Sequence, residues 1–454
     1  MRTHAISRSG NPLSVRVRRG CGAVAAALIL FAGPGASDAA VISASSDTIF
    51  RLRETRDRDL YPLYEYLHLS TVQQVTGGVV SFNMGGWGRV DLADRTTEDH
   101  TNGDLQYGYL SYRGDRNNLV ANLGRVWVTE GVASERIDGA YWRSDLAAGF
   151  MASAFAGRPV VTEPNALAGG DVIYGGRIAH SLPGLYTIGV SAVKTSQVDD
   201  GADVLEREGI DVWLHPVKQV DITGISSYSS RTSGWMENTY HLSLAPLHDF
   251  RVSADLSAIN YRHYLDGVTT PALSVNNALN FGAGTSAAGA NNGILNPNEE
   301  LFMLGASVGY TLRKNLDLVA DYRHFDYKVQ GDAHYFGANL TYTPGTYSAG
   351  LQIHRMDGGA ERLSYDEFRI WASRRWGKVD VTVDLFDVLY DHDINDVSNS
   401  FSISGAVGYQ FSPRLRATAD VEYMRGPDYE NQLQGLIKLT YAFDVKAGTE
   451  GRAK

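Results

Sequence analysis

Apolar and polar positions alternate with a period of two through most of this chain. In residues 307–325, SVGYTLRKNLDLVADYRHF, Val308, Tyr310 and Leu312 share one side. After Arg313-Lys314-Asn315 that side continues through Leu316, Leu318, Ala320 and Tyr322, while Ser307, Asp317, Asp321 and Arg323 take the other. Successive side chains of a strand point to opposite faces, so the pattern predicts an antiparallel hairpin with one apolar and one charged face. Residues 406–424, AVGYQFSPRLRATADVEYM, repeat the plan: Val407, Tyr409 and Phe411 precede the turn Ser412-Pro413-Arg414, and Leu415, Ala417, Ala419 and Val421 follow it. A soluble sandwich alternates in the same way, so one hairpin does not identify its solvent.

The connections between such runs are more telling. Short turns with Gly, Pro, Asp or Asn chemistry fall at 77–78, 114–116, 144–145, 183–184, 216–217, 246–249, 313–315, 344–345, 376–378 and 412–414. Between them lie longer polar stretches at 95–104, 163–171, 197–208, 265–300, 354–362 and 390–400. Tight turns on one rim and long loops on the other predict an all-β fold, a transmembrane antiparallel up-and-down β-barrel. Counting runs from DTIFRLRET (47–55) onward gives 18–22 strands, with 22 the best count, over a barrel spanning 40–443.

The apolar sides suit contact with lipid. Val379, Val381, Val383 and Leu385 line one strand, Phe401, Ile403, Val407, Tyr409 and Phe411 another, and Ile437, Leu439, Tyr441 and Phe443 the last. Tyr310, Tyr342, Trp376 and Tyr409 stand just before tight turns, where an interfacial aromatic girdle belongs. The run LQGLIKLTYAF (433–443) resembles the closing strand of outer-membrane barrels, and residues 444–454 are then expected as a periplasmic tail.

Composition narrows the picture. A basic segment ending in Arg16, Arg18 and Arg19, the apolar run AVAAALILFAG and small residues up to Ala39-Ala40 predict a signal peptide over 1–39. Its loss removes five Arg and one Asp, moving the formal charge from -10 to -14. Such an acidic chain argues against nucleic acid as a partner. Cys21 is the only cysteine and lies inside that segment, so an exported chain would be held by backbone pairing and burial alone. The expected location is the outer membrane of a Gram-negative cell. The expected partners are the lipid bilayer and lipopolysaccharide, with a further copy of the chain or a periplasmic protein as additional possibilities.

No cofactor or enzymatic chemistry is expected. Gly305-Ala306-Ser307-Val308-Gly309 matches the GxSxG pattern of serine hydrolases, but it sits mid-strand rather than on a strand-to-helix turn. Asp391, His392, Asp393 and Asp396 could gather a divalent ion, although a solvated acidic loop explains them. Parity assigns Arg89, Asp91, Asp221, Arg251, Asp255, Asp317, Asp321, Arg323, Asp380, Asp384, Arg416, Asp420 and Glu422 to the polar side, where they would line a pore. With both signs interspersed, the expected preference is neutral or weakly cationic.

The segment LGRVWVTEGVASERIDGAYW (123–142) resembles a feature of porin-like and polysaccharide-export barrels: a strand ending in Gly-Arg, a loop with Gly, then Arg and Asp-Gly opening the next strand. The matching positions are Arg125, Arg136 and Asp138, and the resemblance implies that Arg125 points into the lumen. The longest loop, 265–300, could fold inward or cover the mouth. Together these features predict a porin passing small hydrophilic solutes or ions. The alternative is a barrel serving as a sheath for a multihaem electron carrier or as a polysaccharide-export conduit.

Overall fold

In a computed structural model of the chain, the described residues are 40–54, 59–92, 101–160, 171–197, 203–264, 299–427 and 429–447. The proposed signal peptide with Cys21, most of the loop at 265–300 and the last residues of the tail lie outside them. The chain forms a closed, all-antiparallel barrel of 22 strands, every strand hydrogen-bonded to its sequence neighbours. Closure comes from the first strand, Ala40–Glu54, which pairs with the last, Tyr429–Ala447, from Ala40↔Ala447 to Glu54↔Leu433. The two-residue piece Asp59–Leu60 leads into Pro62–Val75 and belongs to the second strand. A closed wall has no free edge strand, the condition a sheet must meet to cross a bilayer.

Strand length fits the same setting. The shortest strands, Phe150–Pro159 and Val220–Ser229, have 10 residues and the longest has 19, whereas a tilted strand crosses hydrocarbon in roughly 9–11. The longer ones therefore rise beyond the membrane. One face carries large exposed apolar side chains, among them Val383, Leu385, Ile403, Val407, Ile437 and Leu439. Tyr310, Tyr342, Trp376 and Tyr409 are also on this face, beside the tight turns, and form the expected girdle. No helix is long and apolar enough to cross a membrane, which says nothing against crossing by strands.

The tight turns fall at or within a few residues of the expected places, on the rim that carries Ala40 and Ala447. Residues 144–145 and 216–217 still belong to strands, and the chain turns just after them, at 146–149 and 218–219. Several expected loops on the other rim are shorter than their composition suggests. Residues 390–394 continue the strand Val379–Ile394, and 397–400 open the strand Val397–Ser412. Only Asn395 and Asp396 form the turn, with φ of 51° and 62°, the left-handed pair of a two-residue hairpin loop. Residues 203–208 are likewise strand, and 354–358 complete Tyr347–Gly358. Asp444 to Ala447 extend the closing strand rather than starting the tail.

Candidate functional site

One hairpin leaves the wall. The strand Leu119–Glu130 pairs with Thr101–Gly114 only as far as Gly108↔Arg125, although its pairing with Ala133–Asp145 continues to Glu130↔Ala133. The departure point is Gly124, whose φ of 128° is closed to other residues and whose missing Cβ would strike the Gly108 carbonyl. Beyond it the hairpin 126–137 leaves its neighbour and packs inside the barrel. Val126, Val128, Val132, Ala133 and Ile137 bury themselves against Phe155, Ile173, Val193 and Leu205 of the wall. Among the described residues this is the buried apolar cluster, and it lies on the inner side.

Polar contacts fix the tip. The Val132 backbone N–H donates to Ser191 Oγ at 3.0 Å, and Tyr141 donates its hydroxyl to buried Glu130 at 2.5 Å. Glu135, also buried, stands 4.0 Å from Arg207, and Arg177 pairs with Asp211 beside them. Gly131 turns with φ of 56° against Ser191, where a Cβ would collide with the hydroxyl.

By simple alternation Arg125 shares the parity of Leu123, which is 64% exposed on the outer face. The inward fold reverses the consequence: the hairpin's apolar face meets the wall, and the face with Arg125, Trp127, Arg136 and Asp138 turns toward the lumen. Arg125 holds Asp138 through two bonds of 2.7 and 2.8 Å and donates to the Leu105 carbonyl at 2.9 Å, replacing a strand partner that the hairpin withdrew. Asp104 closes the group, 2.6 Å from Arg136 and 3.4 Å from Arg125. Of the three positions that carry the resemblance, Arg125 binds Asp138 directly and Arg136 is joined to them through Asp104, a residue outside that segment.

The register puts the remaining sequence-chosen residues on the inner face. Asp321 meets His354 at 2.9 Å, Asp384 binds Arg369, and Asp380 binds Arg416 at 2.8 Å. Arg251 stands 3.6 Å from Asp317, Asp255 meets His241 at 2.7 Å, and Asp221 accepts from the Trp213 indole at 3.0 Å. Glu422 accepts from Ser402 and Gln434. Arg323 lies over the Tyr335 ring, 5.8 Å from its centroid. Asp91 accepts from the Tyr61 backbone at 3.4 Å, Arg89 is opposite Tyr64 in register, and Asp420 opposite Ala406. Most inner acids therefore have a cross-strand partner, and the two signs alternate around the wall.

Aromatic residues on this inner face were not anticipated. Trp87 shares the strand and parity of Arg89 and Asp91, and the register sets Tyr64 and Tyr66 beside Arg89 and Trp87, and Tyr107 and Tyr109 beside Gly85 and Asn83, all on the same side. Ser307 of the GxSxG match lies mid-strand, hydrogen-bonded to Ser253 at 2.7 Å, with no nucleophile elbow. Asp391 is held by Arg355 and by Ser364 at 2.6 Å, a structural role on the outer face. Among the described residues no group of His, Cys, Asp and Glu is arranged to hold a metal.

No protein-family model and no curated protein matches the chain. Among solved structures it is similar to Acinetobacter baumannii OccAB4, at 8% identity and a TM-score of 0.44, over 91% of this chain and 100% of that one. It is also similar to Pseudomonas aeruginosa OccK2 (OpdF), at 9% identity and a TM-score of 0.42, over 90% and 98%. Pseudomonas aeruginosa OccK3 (OpdO) follows at 9% identity and 0.41, over 89% and 96%. The barrel is defined by the chain's own register.

Proposed function

We propose that this protein is an outer-membrane channel through which small hydrophilic solutes or ions diffuse passively, narrowed by the hairpin 126–137. The observation that carries the reading is this hairpin, folded onto the inner wall of a barrel whose outer face is apolar and whose inner face is charged. A barrel of this strand number is wide enough for an aqueous path unless filled. The hairpin lies along one side of the lumen, and Arg125 and Asp138 with the wall residue Asp104 face whatever passes, held from behind by the buried Arg136. The other inner residues, from Arg89 and Asp91 to Asp420 and Glu422, line the rest of the path. Because most of them are paired, they hold the wall and polarise the lumen without giving it a strong ionic preference.

The outer face contacts the bilayer, with lipopolysaccharide around the loop rim, where Arg355 and its acidic partners Asp366 and Asp391 stand. No step of covalent chemistry is assigned to the chain. Reconstitution of the purified barrel in planar bilayers tests the reading. Stepwise ion conductance supports it. A barrel that stays closed alone and co-purifies with a multihaem protein or an export assembly would replace it with a sheath or conduit.

A further inference from the structure

Six rings line a continuous stretch of the inner wall between the loop rim and the charged hairpin. Tyr64 lies 6.1 Å from both Tyr66 and Trp87, measured between ring centroids, and His68, Tyr107 and Tyr109 continue at 6.1 Å intervals. They come from three consecutive strands, Pro62–Val75, Gly78–Asp91 and Thr101–Gly114. Tyr66 is directly opposite Trp87 in register, and His68 opposite Gly85, so the two groups of rings adjoin. All six are only partly buried.

One glycine sets the attitude of the central ring. A Cβ at Gly85 would stand 2.5 Å from the Tyr107 ring atoms. The ring therefore lies over a site without a side chain, flat against the wall, with its other face toward the lumen. His68 Nδ1 and the Tyr107 hydroxyl, 2.9 Å apart, hold it there. Packing a ring over a glycine supports a sheet by itself. Tyr109, at one end, packs against the buried hairpin cluster. The five rings before it on the wet side exceed that need, and apolar area left facing water marks a binding surface.

The track has polar edges. Arg51 sits over Tyr64 at 5.7 Å from the ring centroid, Asp104 is opposite Trp87 in register, and Asn83 and Ser70 bond to each other beside Tyr109. Flat rings bordered by a guanidinium, a carboxylate and an amide match the pyranose ring. Its C–H faces are drawn to the negative face of an aromatic ring, while its hydroxyls use the donors and acceptors at the margin. On the reading of this chain as a channel, we infer that the inner wall of these three strands is a sugar-binding slide that delivers pyranosides to the gap beside Arg125 and Asp104.

Single-channel recording with maltotriose as the probe tests this, using polyethylene glycol of similar length as the control. Maltotriose is expected to interrupt the current in discrete events, and the glycol to leave no such events. Trp87→Leu and Tyr64→Leu keep bulk but remove the ring faces and should shorten each event about tenfold, equivalent to about 1.4 kcal/mol. Gly85→Ala, which pushes the Tyr107 ring off the wall, should act in the same direction. Heat-dependent mobility on gels verifies that each variant forms a barrel. Conduction with no sugar-dependent interruption, with equal interruption by the glycol, or with events unchanged in all three variants would overturn the slide and leave the channel standing. Absence of any conductance would overturn both.

Discussion

Val132 and Ser191, 59 positions apart in sequence, are joined by a buried hydrogen bond of 3.0 Å from the backbone N–H to Oγ. This bond ties the tip of an inward-folded hairpin to the strand Tyr186–Ser196, three strands further along the same side of the wall.

Removing that tie should loosen the constriction without unfolding the wall. Ser191→Ala deletes one buried bond, a loss of about 1–3 kcal/mol because the Val132 donor stays buried. Gly131→Val acts more strongly, since it forces a branched residue into positive φ and against Ser191. Both variants should show a larger or noisier open-channel current than the parent, with Gly131→Val the greater. Currents identical to the parent's would mean that the hairpin does not limit flow.

Arg125 donates to Asp138 and to the Leu105 carbonyl and stands 3.4 Å from Asp104. Arg125→Ala leaves Asp104 and Asp138 with less compensation, so permeability should shift toward cations, read as a changed reversal potential in a salt gradient. Arg125→Lys restores a charge but not the planar fork, and should recover only part of the shift.

The two faces of one strand should respond oppositely to charge. Val383 is 49% exposed on the outer face, and Asp384 beside it pairs with Arg369 inside. Val383→Arg should cost about 2–4 kcal/mol if the site lies near the midplane of the bilayer. Asp384→Asn should cost about 1 kcal/mol or less, because its partner remains in water. Urea unfolding from lipid vesicles measures both.

Much of this architecture is visible in the order of residues, and the exceptions have physical causes. The hairpins at 307–325 and 406–424 are legible because one face must be apolar wherever the wall meets hydrocarbon. Above the membrane both faces are wet and that constraint ends. Asp391, His392 and Asp393 therefore read as a loop although they extend a strand, and only the positive φ of Asn395 and Asp396 marks the turn. The inward hairpin was hidden for another reason. Its anchors, Ser191, Arg207 and Leu205, are far away in sequence, and alternation alone assigns Arg125 to the lipid side. Of the inner rings, Trp87 was legible by parity, since it falls in step with Arg89 and Asp91, and Tyr64 and Tyr107 join it through the register.

The strand Val379–Ile394 offers the most direct test of which side meets lipid and which meets water. Single cysteines are placed in turn at Val379 through Leu385 in a Cys21→Ser background, and the barrel in intact vesicles is exposed to a charged, water-soluble maleimide. Labelling should alternate, with positions 380, 382 and 384 reacting from the lumen and 379, 381, 383 and 385 protected by the bilayer. Uniform reaction, or protection of the even positions, would contradict the account.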